Sequence, residues 1–143
     1  MRKAFFPGSF NPFTKGHADI VERGLRLFDS ITIGIGYNAE KPRSAETAAK
    51  NLSMIKELYA GNDKVDVTLY EGLTVEAARD CGACCILRGV RTCADFEYEL
   101  AMADVNRRLE NIETVLLPAR PELMCLSSSI VRELESYGRN IDF

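Results

Sequence analysis

Phe6-Pro7-Gly8-Ser9-Phe10-Asn11-Pro12-Phe13-Thr14-Lys15-Gly16-His17 is the stretch on which the reading of this chain turns. It follows a short apolar run, Lys3–Phe6, with the character of a buried strand, and it leads into a helical pattern. Two prolines and two glycines make a tightly turned loop in which backbone can approach a ligand closely. His17 falls at the helix start, where free N–H groups and the helix dipole favour an anion. Serine and threonine hydroxyls in the same loop add donors. A phosphate group is the guest that suits such a loop.

Outward from this loop, short apolar runs alternate with helical patterns. The expected strands are Lys3–Phe6, Ile31–Gly36, Lys64–Tyr70, Ala83–Leu87 and Glu113–Leu117. In His17–Phe28 the residues Ala18, Val21, Leu25 and Phe28 recur at helical spacing and make a buried stripe. Glu46–Tyr59 and Thr74–Cys81 are weaker helical segments. Cys93–Leu109 is long and periodic, with Tyr98, Met102, Val105 and Leu109 on one side. A last helix begins at Ser127–Ser129, where hydroxyls cap free amides, and runs to about Tyr137. Strands alternating with helices imply an α/β fold: a doubly wound, five-stranded parallel sheet of order 3-2-1-4-5. The order changes direction between strands one and four, and ligands bind in the crevice at the carboxyl ends there.

Composition sets the outer bounds. The 143 residues fit a single domain, 1–143, with 46% hydrophobic and 27% charged residues. A net charge of −3 argues against a nucleic-acid partner. No apolar run approaches the roughly 20 residues that span a bilayer, and the N-terminus lacks signal-peptide character. The five cysteines, 81, 84, 85, 93 and 125, read as reduced thiols of a cytoplasmic protein. Cys81-Gly82-Ala83-Cys84 invites a zinc or redox reading. However, Cys93 and Cys125 form no second pair and the motif precedes a strand, so burial as small apolar groups is the expectation.

Further polar residues gather at the predicted crevice. The fourth strand ends in Leu87-Arg88-Gly89-Val90-Arg91, and two guanidinium groups there can fork onto phosphates. The plain alternative, a solvated turn, is set aside by its place opposite His17, the one histidine of the chain. On the long helix, Asp95, Glu99 and Asn106 share a face. Asp95 suits the helix dipole, while Glu99 and Asn106 lie deeper and suit ribose or metal-linked contacts. Ser127-Ser128-Ser129 offers hydroxyls and amides for triphosphate oxygens. The dinucleotide glycine fingerprint and the P-loop are both absent, which sets aside hydride transfer and P-loop hydrolysis.

Together these motifs resemble the phosphopantetheine adenylyltransferases, members of the nucleotidyltransferase superfamily with its (His/Thr)-x-Gly-His signature and Rossmann-like fold. The signature reads Thr14-Lys15-Gly16-His17 after PGSFNP; RGVRTCADFEYELAMADVNRRL from Arg88 and SSSIVREL from Ser127 follow the same pattern. The resemblance implies that phosphopantetheine attacks the α-phosphorus of ATP, giving dephospho-coenzyme A and pyrophosphate, with Mg2+ as the ion. It implies a reactive set of His17, Arg91, Lys41 and Ser128. ATP contacts are implied for Ser9, Phe10, His17, Gly89, Val90, Arg91, Glu99, Leu123, Met124, Cys125, Leu126, Ser127, Ser128 and Ser129. For the acceptor the residues are Ser9, Lys41, Thr74, Arg88 and Asn106. No side chain is assigned as a metal ligand. A hexamer is implied as the assembly.

This chain departs from the family pattern in three places. Asn11 stands where Asp is usual, Ala39-Glu40-Lys41-Pro42 leaves one lysine where two are common, and the sequence stops at Ile141-Asp142-Phe143, before the family's terminal helix. Rival readings are a related transferase acting on nicotinamide mononucleotide or glycerol phosphate, a nucleotide-binding module without turnover, and a zinc or redox protein.

Overall fold

Strand β1 (Lys3–Gly8) runs through the middle of the sheet, and in a computed structural model of the chain, which describes residues 1–140, every other element is placed relative to it. Helix α1 (Lys15–Gly24) carries the chain to β2 (Ser30–Gly36), and α2 (Pro42–Leu58) carries it on to β3 (Val65–Tyr70). The chain then returns through α3 (Thr74–Asp80) to β4 (Cys85–Val90) and through α4 (Cys93–Glu110) to β5 (Glu113–Pro118). A 3-10 turn at Pro121–Leu123 precedes α5 (Ser128–Ser136). All strand pairs are parallel and the order is β3-β2-β1-β4-β5, so the expected doubly wound sheet is the one found. The expectation about a missing terminal helix concerns Ile141-Asp142-Phe143, which lie outside the described residues.

Side chains of a strand alternate between the sheet's faces, and here the alternation sorts two cores. Ala4, Phe6, Ile31, Ile33, Ile35 and Leu87 point to one face, under Ile20 and Val21 of α1 and Ala48 and Ile55 of α2. Phe5 and Ile86 point to the other, against Val75 and Ala78 of α3. The second face is thinner, and aromatic rings fill it. Phe5 and Tyr70 meet edge to face at 5.4 Å, and the Phe5 ring lies across Gly34, where an added Cβ would come within 2.1 Å of it. Gly34 is glycine because the ring needs that space.

Element limits differ from expectation in instructive ways. Helix α1 begins two residues before His17, because Thr14 caps it, and ends at Gly24; Phe28 is buried from the following turn. Helix α2 starts earlier than Glu46, with Pro at its first turn. Strand β4 begins at Cys85 and extends to Val90, so Arg88 and Gly89 are strand residues with defined directions. The stripe of Tyr98, Met102, Val105 and Leu109 on α4 is not its inner face. Glu99 and Asn106 are buried there instead, and Tyr98 (63%), Leu100 (56%) and Leu109 (54%) are exposed. Among the cysteines, only Cys85 is fully buried; Cys84, Cys93 and Cys125 are exposed, which corrects the expectation of general burial.

Gly34→Ala should overpack the ring-filled face and lower stability by about 2–3 kcal/mol. A thermal unfolding scan should show this as a midpoint drop on the order of 5–10 °C. An unchanged midpoint would show that the Phe5 ring moves aside freely.

Candidate active site

The site begins where β1 and β4 stop pairing. Their ladder registers only Ala4 with Cys85 and Phe5 with Ile86, while β1 stays paired with β2 as far as Gly8. Beyond Phe5 the two strands part at the point where the sheet changes direction, which is where such folds open a crevice. Pro7 has no N–H to lose there. Its carbonyl accepts from Nη1 of Arg88 at 2.8 Å, so a guanidinium takes the place of the lapsed ladder. Arg88 also donates through Nε and Nη2 to the Glu99 carboxylate at 2.7–3.0 Å. These bonds leave one N–H on each terminal nitrogen for a ligand. Glu99 is 6% exposed, lines the cleft and takes this fork on both carboxylate oxygens, so it fixes the Arg88 guanidinium at the cleft wall.

His17 occupies the third position of α1. Thr14 caps the helix, accepting from the His17 N–H, and the Thr14 backbone N–H donates to Nδ1 of His17 at 2.9 Å. This is a capping box with an imidazole where Glu or Gln is usual. Because Nδ1 is the acceptor, the proton of the neutral ring sits on Nε2, which remains to meet a ligand. Burial, then the charges of Arg91 and Arg88, push its pKa down from 6.5 to about 4. His17 is therefore a neutral, single-tautomer hydrogen-bond donor near neutral pH.

These groups face a cleft of ≈ 320 Å³. Gly8, Ser9, His17, Arg88, Arg91 and Ser127 to Ser129 all line it. Phe10 does so from an unusual backbone, with φ of 49° and its ring buried against Phe6, Phe13 and His17. A left-handed Phe costs on the order of 1–3 kcal/mol, and ring burial offsets it. Its main chain is what remains for a ligand. Arg91 is steadied by Asp95, whose carboxylate accepts from the Arg91 backbone N–H at 3.1 Å and from Nε at 3.2 Å. Ser127 caps α5, and Ser128 donates its hydroxyl to the Pro12 carbonyl at 2.8 Å. With that proton engaged, Ser128 offers its first-turn amide to an anion.

Other sequence-derived candidates lie apart. Asn106 is buried, but it sits seven residues, about 10 Å, along α4 from Glu99 and donates to Thr114. Lys41 is the exposed N-cap of α2, and Thr74 opens α3 with its hydroxyl bonded to Tyr70 at 2.8 Å. Neither lines the cleft, nor do Val90, Met124 and Cys125, although Gly89, Leu123 and Leu126 do. Thr14 belongs to the signature, but its bond to His17 and the role of Arg132 are not legible in the sequence. The Thr14–His17 bond is hidden because histidine is not the usual partner in a capping box; Arg132 reaches the Asn11 carbonyl and Ser129, contacts that no local pattern announces.

No group of three or more His, Cys, Asp or Glu among the described residues could hold a metal ion. The carboxylates in the cleft, Asp95 and Glu99, are each committed to an arginine. Burial pushes the Cys85 thiol up to about 12, which leaves it a poor nucleophile or ligand.

Comparison with known proteins agrees with this geometry. The model of the cytidylyltransferase-like family matches residues 5–134. Phosphopantetheine adenylyltransferase of Bacteroides thetaiotaomicron is 50% identical over 99% of this chain and 93% of its own length. The Porphyromonas gingivalis protein of the same name is 48% identical over 96% of this chain and 90% of its own. Among solved structures, a bifunctional NMN adenylyltransferase/ADP ribose pyrophosphatase from Francisella tularensis superimposes with a TM-score of 0.64 at 17% identity. The match covers 98% of this chain and 43% of that one. At that identity the likeness is one of fold.

With one histidine in the chain, its ring resonances can be followed without ambiguity. NMR should find the Nε2–H tautomer throughout the neutral range and a midpoint near 4, not 6.5. The folded pKa is the depressed one, so between pH 6.5 and about 4 the unfolded chain takes up a proton that the folded chain refuses. The His17 contribution to stability is therefore intact above this window and is lost as the pH falls through it. A midpoint near 6.5 would contradict the burial and the Thr14 bond.

Proposed function

The chain belongs to the cytidylyltransferase-like family and, within it, to the phosphopantetheine adenylyltransferases, and from that footing we propose how its cleft transfers AMP from ATP to phosphopantetheine. An oxygen of the acceptor phosphate forms a bond to the α-phosphorus as the bond from that phosphorus to the leaving pyrophosphate breaks, and dephospho-coenzyme A results. A phosphate monoester already carries the charge it needs near neutral pH, so no general base is required. What the reaction needs is alignment of two anions and fixed donors where negative charge grows.

The observation that carries this reading is the convergence of His17 Nε2–H, the Arg88 and Arg91 guanidinium groups and the amide starts of α1 and α5 on one cleft. His17 meets the α-phosphate, and Arg91 with residues 127–129 meets the phosphates that leave. Arg88 faces the acceptor, held by Glu99 and Pro7. Lys41 and the Thr74 amide, at the carboxyl ends of β2 and β3, serve the acceptor's phosphate and its pantetheine arm. Asn106 is left to packing. The ion we propose is magnesium, carried by phosphate oxygens and water rather than by a protein cage, which suits its reluctance to shed water. Phosphopantetheine is preferred to nicotinamide mononucleotide or glycerol phosphate because near full-length relatives at 48–50% identity carry that name.

Assembly belongs to the same proposal. Phe96 and Leu100 stand exposed along one side of α4 and Tyr98, Val105 and Leu109 along another, so this helix, which follows the inner strand β4 and leads to the edge strand β5, leaves apolar area bare. Closed self-association would cover it, and a hexamer is the form proposed. No helix among the described residues is long and apolar enough to cross a membrane, and all five cysteines are free, which suits a cytoplasmic setting.

Pyrophosphate release from ATP and magnesium should require phosphopantetheine, and His17→Ala should lower kcat by about 100–1,000-fold. Undiminished turnover in that variant would remove His17 from the mechanism. Sedimentation should show a hexamer, and Leu100→Glu should shift it to smaller species; a monomeric parent would sink the assembly.

A further inference from the structure

We propose that Asp19 is a positioning residue for the nucleotide: through Arg120 it holds the segment 119–127 at its working distance from α1. The inference rests on the proposed reading of residues 123–129 as part of the ATP site.

Asp19 is 8% exposed, and a carboxylate so buried needs partners for both oxygens. One oxygen accepts from Arg23 at 3.0 Å, four residues on in the same helix, which is an ordinary helical pair. The other accepts from Nε of Arg120 at 2.7 Å, from 101 residues away. The need of the second oxygen is thus met from outside α1, by a residue of the cleft wall, and the contact joins the two. Ala119, Leu123 and Leu126 line the cleft, and the backbone bonds within the segment are local. Leu123 N–H donates to Arg120 C=O, Met124 N–H to Pro121 C=O, Leu126 N–H to Leu123 C=O and Ser127 N–H to Cys125 C=O. These bonds shape the segment without attaching it.

Its attachments are few. At the start, Ala119 N–H donates to the Val90 carbonyl. At the far end, Ser128 and Arg132 donate to the carbonyls of Pro12 and Asn11. Between the two, Arg120–Asp19 is the ion pair among the described residues that ties the wall to α1. Asp19 lies two residues after His17 and next to Ile20, which also lines the cleft. The turn that aims the imidazole therefore also sets the opposing wall. A nucleotide bound between them meets a gap that this carboxylate helps to set midway between the two end attachments.

The test compares Arg120→Ala, Arg120→Lys, Asp19→Asn and, as control, Arg23→Ala, which removes the other partner of Asp19. KM for ATP, KM for phosphopantetheine and kcat are measured, with ATP Kd by calorimetry. Arg120→Ala should raise KM and Kd for ATP on the order of tenfold. It should leave KM for phosphopantetheine and kcat at saturating ATP nearly unchanged. Arg120→Lys should restore most of the loss, Arg23→Ala should leave ATP binding as it was, and Asp19→Asn combined with Arg120→Ala should be no worse than Arg120→Ala alone. Equal loss toward both substrates, additive effects, or an unaltered Kd for ATP would overturn the inference. If Asp19→Asn fails to fold, the two Arg120 variants decide. A parent that binds ATP and releases no pyrophosphate would count against the proposed reaction, while the Kd comparison would still judge the role of Asp19.

Discussion

Everything in the cleft depends on a carbonyl that the sheet leaves unpaired. Where β1 and β4 separate, Pro7 C=O has no strand partner on that side, and a buried carbonyl without a donor is costly. Arg88 satisfies it with one N–H and is itself fixed by three contacts to Glu99. The break in the sheet and the placing of a cation are thus one event. A guanidinium that would otherwise sample many rotamers is spread flat between strand and helix with two N–H groups to spare. The acidic residue whose charge opposes a phosphate ligand is what makes the arginine ready for it.

The same economy governs the charges. The chain carries net −3, yet its cleft gathers Arg88 and Arg91 around a histidine that burial keeps neutral. Each arginine is tethered by a carboxylate on α4, so neither cation has to be ordered when an anion arrives. Donors fixed in advance on strand ends and helix starts favour a charge that develops during reaction over one that is already there. A loop rich in proline and glycine, held by buried phenylalanine rings, supplies the rigidity this needs.

Much of this was legible in the sequence because it rests on local chemistry. Strand and helix alternation gave the sheet, and the proline–glycine turn before His17 marked the crevice. Arg88, Arg91 and the triple serine fall at ends of elements whose order places them together. What escaped depended on direction and distance. Periodicity identified an apolar stripe on α4 but could not say whether it met this chain's core or another surface. Asn106 shares a helical face with Glu99, yet axial rise carries it past the cleft. The Thr14 bond to an imidazole, and the reach of Arg132 to Asn11, are set by three-dimensional approach between groups that sequence treats as unrelated.

The Phe5 ring lying over Gly34 has a consequence for how this sequence can drift. Positions 5 and 34 sit on neighbouring strands, offset by two residues and so on the same face of the sheet, and the space one takes is the space the other gives up. Neither can change alone without loss, whereas a smaller residue at 5 would admit a methyl group at 34. Descendants of this chain should therefore vary at the two sites together or at neither, a statistical signature with its origin in the volume of one benzene ring.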